Sequence, residues 1–158
     1  MLIRSSIIIN HVNTAVTYSD IADPVFDIKI ESIVRGLTPD CKKSLQKISK
    51  RNALTIFDYI ISIQTEINLS SHYRKDLITL LCRFSIEHNH KPFQQITRSE
   101  IVTFLDSFRK SEEIDPLQKW IGTYIYSIYS VHLLRFFKWL YYPDIEPAKR
   151  PKPRSIFK

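Results

Sequence analysis

From residue 38 onward the apolar positions recur at helical spacing. Thr38-Pro39 reads as an N-cap followed by proline at the first helical position, opening the basic segment DCKKSLQKISKRN. A second helix is predicted over about 52–68, with Leu54, Phe57, Ile61 and Ile67 toward one face. A third, over about 71–89, sets Tyr73, Leu77, Leu80, Leu81 and Phe84 on one stripe, and His90-Lys91-Pro92 ends it. Thr97-Arg98-Ser99-Glu100 spells a capping box, after which Ile101, Phe104, Leu105 and Phe108 face one way. The turn SEEIDP leads to a last helix over about 117–142 that is apolar almost all round. Such a helix sits centrally in a bundle or keeps a second face for another domain.

The flanks differ. Phe26, Ile28 and Ile30 alternate with Asp27, Lys29 and Glu31, which predicts a strand within a mobile or partner-paired arm over 1–37. The chain ends YYPDIEPAKRPKPRSIFK, where Pro143, Pro147, Pro151 and Pro153 stop the helix and stiffen a basic exit. The expected organisation is therefore an arm (1–37), an all-α bundle of four to five helices (38–142), and a basic proline-rich linker or tail (143–158).

Composition narrows the chemistry. The 158 residues include only two glycines, Gly36 and Gly122, so neither a G-x-x-x-x-G-K-[ST] phosphate loop nor a G-x-G-x-x-G turn can form. The net charge of +7 suits an acidic partner, nucleic acid or an anionic surface. Its excess lies in two blocks: residues 35–91 hold ten basic and five acidic groups, and residues 132–158 hold seven and two. No run of about 18 apolar residues is present to span a bilayer. Cys41 and Cys82 stand far apart and read as buried thiols of a reducing cytoplasm.

Three phrases in order, S-S-H-Y-R-K-D-L (70–77), I-T-R-S-E-I-V-T-F-L (96–105) and L-L-R-F-F-K-W-L (133–140), resemble the N-terminal core-binding domain of tyrosine recombinases, the phage-integrase and Xer-like family. The resemblance covers roughly residues 45–153, and RFFKWLYYPDIEPAKRPKP looks most like archaeal integrase-type members. It implies a SAM-like helical bundle forming half of a clamp around DNA, with the third and last helices approaching the major groove. A separate, larger catalytic domain carries the chemistry in that family. Here 18 residues follow Leu140, so the resemblance implies DNA binding without strand cleavage, with any catalytic domain acting in trans.

Candidate side chains follow from pattern and resemblance together. Lys43, Lys47, Lys50 and Arg51 fall at steps of three and four, and no acidic residue interrupts the chain from Cys41 to Ala53. Such a stripe repels itself unless a polyanion meets it. Ser71, Arg74 and Lys75 occupy the first turns of the third helix, where hydroxyls, cations and a helix N-terminus suit phosphate. Lys119, Thr123 and Ser127 are the equivalent polar positions of the last helix, and Lys149, Arg150 and Lys152 are the cations of the tail.

Two tempting motifs weigh less. His132-Leu133-Leu134-Arg135, followed by Tyr141 and Tyr142, spells His-x-x-Arg, yet phosphoryl transfer needs several cations converging beside the nucleophile. His88 and His90 do not share a helical face, so they are expected at a solvated helix end rather than on zinc. The aromatics of 136–142 read as core before they read as a stacking platform. The expectation is a DNA-binding module with no catalytic residues, cofactor, metal, membrane contact or small-molecule substrate, located with the nucleoid in the cytoplasm. The alternative is a helical adaptor that docks a recombinase through its apolar last helix.

Overall fold

The structure is a computed structural model that describes residues 23–109 and 116–153, with side chains described for 23–109 and 121–153. All regular structure among the described residues is helical. The six α-helices are α1 (Pro24–Val34), α2 (Pro39–Lys47), α3 (Lys50–Glu66), α4 (Ser71–Glu87), α5 (Arg98–Asp106) and α6 (Pro116–Tyr141). Short 3-10 turns at Phe93–Gln95 and Pro147–Lys149 complete the bundle. No helix among the described residues is long and apolar enough to cross a membrane.

The expected strand at 26–31 is a helix. Asp23 caps it, its Oδ1 accepting from the amides of Val25 (3.1 Å) and Phe26 (3.2 Å), and Pro24 supplies the first helical φ. Phe26, Ile30, Ile33 and Val34 are buried, a helical spacing, while Ile28 is 69 % exposed. The alternation ended at Ile28, and tertiary packing of α1 on α3 decided the outcome. The arm is thus part of the bundle from residue 23; the rest of it, 1–22, lies outside the described residues.

Helix α3 also turns differently from expectation. Its buried apolar residues are Ala53, Ile56, Tyr59, Ile60 and Ile63, whereas Ile61 and Ile67 are exposed and Leu54 and Phe57 only partly covered. The buried set recurs at three and four positions and carries the larger ring, Tyr59, which meets Phe136 edge-on and Trp139 at a tilt, each at 5.1 Å between centroids. The stripes predicted for α4 and α5 are the buried ones, with Leu77, Leu80, Leu81 and Phe84 against Ile101, Phe104 and Leu105. Phe84 is the hub of an aromatic core that includes Phe93, Phe104 and Phe137.

Side-chain caps fix where the helices start. Ser49 accepts from Asn52 N–H, and Ser70 from Tyr73 N–H, so α3 and α4 begin where their polar residues project. Thr97 and Glu100 form the predicted capping box, and Glu100 also takes the Lys91 ammonium at 2.8 Å. Thr38 holds the cap position of α2, but its hydroxyl approaches Cys41 Sγ at 3.8 Å instead of an amide. Asn52 is fully buried at the start of α3, where its side-chain amide donates to Ser85 Oγ (2.8 Å) and the Lys91 carbonyl (3.0 Å). This pins α3 to the end of α4, where Asn89 and His90 adopt positive φ and break the helix. Cys41 and Cys82 are both buried and free, and burial pushes the Cys82 thiol up, out of its reactive range.

Candidate nucleic-acid interface

The basic residues do not share one fate. The stripe expected along 43–51 is broken in the middle. Ile48 and Ser49 are extended, so Lys43 and Lys47 sit on α2 while Lys50 and Arg51 open α3. The carboxylates missing from the local sequence arrive from elsewhere. Asp23, the cap of α1, forms an ion pair with Lys50, and Lys50 lies over the Phe26 ring at 5.7 Å. That ammonium, with the Phe26 amide second, holds the Asp23 carboxyl below its ordinary value. Glu31 takes Lys42 at 2.6 Å and raises its ammonium pKa, and Asp40 stands 4.0 Å from Lys43. Lys47 and Arg51 are exposed and make no ion pair among the described residues.

At the other end of the bundle the cations gather with fewer counter-charges. Arg74 Nη2 donates to the Arg35 carbonyl at 2.7 Å, which brings the α1–α2 turn against the first turn of α4. Tyr73, its neighbour, crosses to α6. Arg135 Nη1 donates to the Tyr73 hydroxyl at 3.1 Å, and His132 Nδ1 lies 3.4 Å from the same oxygen. Arg35, Lys75 and Arg135 are exposed, and Lys138 is half-buried one turn beyond Arg135. None of Arg35, Arg74, Lys75, Arg135 or Lys138 pairs with a carboxylate among the described residues. Of the acidic groups nearby, Glu66 pairs with Arg150 at 2.7 Å, while Asp76, next in sequence to Lys75, is exposed and lies 3.5 Å from His72 Nε2, leaving one carboxylate beside these cations. Ser71 is exposed at the start of α4.

On α6, Thr123 and Ser127 lie one turn apart, and Arg135 follows two turns further on, rotated by roughly 80° from Ser127. Thr123 and Ser127 are exposed, and Ser127 Oγ donates to the Thr123 carbonyl at 3.0 Å. The side chain of Lys119 lies outside the described residues. Arg135 and Lys138 are cations of α6 that the reading of polar spacing did not include. Their signal was the cationic R-F-F-K step inside the apolar run, taken there as packing.

Arg150 is a correction. It is not a free tail cation but a buried tie, with a side chain 7 % exposed. It donates to Glu66, to the Ile145 carbonyl (2.7 Å) and to the Tyr142 carbonyl (3.2 Å), folding the exit back over the end of α3. Pro153 is buried as well, so the tail is packed at least that far. Lys149 is exposed but pairs with Glu146 at 2.7 Å, and Lys152 is exposed without an ion pair among the described residues.

The His-x-x-Arg motif is separated from the tyrosines that follow it in sequence. Tyr141 donates its hydroxyl to the Gln94 carbonyl at 3.3 Å, away from His132 and Arg135, whose tyrosine is Tyr73. Burial, with Arg135 second, lowers the His132 pKa and favours the neutral ring. His88 hydrogen-bonds the Phe84 carbonyl at 2.7 Å and packs on the Phe84 ring, and no group of metal-ligating side chains occurs among the described residues. Comparison of the chain with family models, with curated proteins and with solved structures finds no match.

Proposed function

We propose that this chain is a duplex-DNA-binding module of the recombinase core-binding type, with a SAM-like helical arrangement and no strand-cleaving chemistry of its own. The observation that supports it is that Arg35, Arg74, Lys75, Arg135 and Lys138, cations of three segments, have no carboxylate partner among the described residues, while the α1–α2 turn and α6 both bond the first turn of α4, at Arg74 and at Tyr73. Five like charges with no carboxylate partner repel one another, and a phosphate backbone is the ligand that relieves this over a broad face. The α4 N-terminus adds backbone amides aimed outward, and Ser71, Thr123 and Ser127 supply hydroxyls for positioning contacts. Lys47, Arg51 and Lys152 extend the footprint. A catalytic domain, where cleavage is needed, acts in trans.

Salt dependence of binding tests this directly. With about six phosphates neutralised, the logarithm of the association constant falls against the logarithm of salt with a slope near −5. A flat isotherm from low to high salt contradicts it. The absence of chemistry is tested by denaturing electrophoresis of DNA incubated with the protein; a covalent adduct lost in Tyr73→Phe, Tyr141→Phe or Tyr142→Phe overturns that part.

A second reading rests on a different observation. Ile121, Tyr124 and Val131 are 43 %, 58 % and 46 % exposed on α6, a scale of apolar exposure that suits a partner helix. On this reading the chain docks a recombinase, and light scattering with a gel shift separates the two: association without DNA retention favours docking.

A further inference from the structure

A cavity of about 470 Å³ opens beside the basic face, between the end of α3, the start of α4, the last turns of α6 and the folded-back exit. This lies in the range of small-ligand pockets, about 300–1,000 Å³, and far exceeds the room one ordered water needs. One wall is apolar, made by Ile63, Ile67, Pro147 and Ala148. The rest of the lining is cationic and hydroxylic, with Arg135, Lys138, Tyr59 and Tyr73, besides the Glu66–Arg150 pair.

Two features of that polar lining are unexplained by the fold. Lys138 lines the cavity half-buried and without an ion pair among the described residues. Tyr59 is 2 % exposed, yet its hydroxyl makes no hydrogen bond among the described residues. Tyr59 lines the cavity together with Tyr73, Arg135, Glu66 and Arg150. Burial raises its pKa, which keeps Tyr59 a neutral donor. The one carboxylate of the lining, Glu66, is already matched by Arg150 at 2.7 Å. Two cations are then left over, Arg135 and Lys138, together with donor hydroxyls on α3 and α4.

We infer that this cavity binds a small organic phosphomonoester. Donors arriving from three helices suit the divergent oxygens of a tetrahedral dianion better than the single plane of a carboxylate, which one guanidinium fork can satisfy. The volume left beyond a phosphate group, and the apolar wall, call for an organic body rather than inorganic phosphate alone. This departs from the expectation that no small molecule is bound. It shares Arg135 and Lys138 with the duplex-binding reading but also needs the cavity and Tyr59, so a duplex can bind where phenyl phosphate does not, and the reverse.

Phosphorus NMR and calorimetry on the full chain test it, with inorganic phosphate, phenyl phosphate and benzoate as probes. Phenyl phosphate is expected to bind at least about tenfold tighter than inorganic phosphate, the apolar wall supplying the difference. Lys138→Gln is expected to weaken it by about tenfold or more, and Tyr59→Phe by about three- to tenfold, with melting temperatures recorded for both. Arg98→Gln, an exposed cation of α5 outside the cavity, is expected to change nothing. Equal binding of the two phosphates, benzoate displacing phenyl phosphate at equal concentration, or unchanged binding in folded Lys138→Gln each overturns the proposal.

Discussion

The two basic regions of this bundle contain similar numbers of cations and differ in what answers them. Along α2 and the first turn of α3, the carboxylates of α1 reach across: Asp23 holds Lys50 and Glu31 holds Lys42. Around the first turn of α4, Arg74 gives its hydrogen bond to a carbonyl and Arg135 gives its own to a phenol, so neither meets a carboxylate directly. A run of lysines in a sequence is therefore a poor guide to an anion site. What matters is whether tertiary structure returns a carboxylate to it, and α1 does so for one group only. The exit supplies the extreme case, where Arg150 is answered by Glu66 and by exit carbonyls.

The largest effect expected from testing that contrast is on stability. Arg150→Ala leaves Glu66 and the exit carbonyls without their donor in a mostly buried setting, at a cost of about 3 kcal/mol by thermal or urea unfolding. Duplex affinity per folded molecule is expected to stay the same; a large specific loss of affinity in the folded fraction places Arg150 on DNA after all. Next comes binding. Lys75→Gln with Arg135→Gln is expected to lower duplex affinity by about tenfold or more at low salt and to make the salt slope shallower by about 2. Lys43→Gln with Lys50→Gln is expected to change affinity by less than about twofold, and the reverse ranking inverts the contrast.

A gain of function sharpens it further. Asp23→Asn keeps a capping side chain on α1 and, with Glu31→Gln, releases Lys50 and Lys42. The double variant is expected to bind duplex more tightly than the parent and to steepen the salt slope by about 1. The smallest effect concerns a pair remote from both regions. Lys91, with the Thr97 amide second, holds the Glu100 carboxyl down to about 2, from an ordinary 4.5. A folded value below the unfolded one contributes stability that is fully present above about pH 4.5 and is lost as the pH falls toward 2. Glu100→Gln is therefore expected to lower the melting temperature at pH 7 and to make little difference near pH 2, with DNA binding unaffected; an equal deficit at both pH values removes the linkage.

Local signals were legible where they were complete within a few residues. The Thr97–Glu100 box and the stripes of α4 and α5 needed only spacing and caps, and both are present. Helix α1 was obscured because Phe26–Glu31 offers three alternations, too few to separate period 2 from period 3.6. Asp23-Pro24 and the later pair Ile33 and Val34 were the helical evidence. The face of α3 was misjudged because its apolar residues encircle it, and only the partner rings Phe136 and Trp139 choose which side is buried. The neutralising of Lys50 and the burial of Arg150 depend on partners 27 and 84 positions away, beyond the reach of any local pattern. The same holds for the meeting of Tyr73 with Arg135, 62 positions apart, on which the proposed interface is centred.

Amide and side-chain NMR mapping during titration with a short duplex reports most directly on which cations meet phosphate. Perturbations concentrated at Arg35, at 71–75 and at 131–138, and weak at Lys43 and Lys50, are the expected pattern. Strong perturbation of Lys43 and Lys50 with silence around Tyr73 and Arg135 contradicts it.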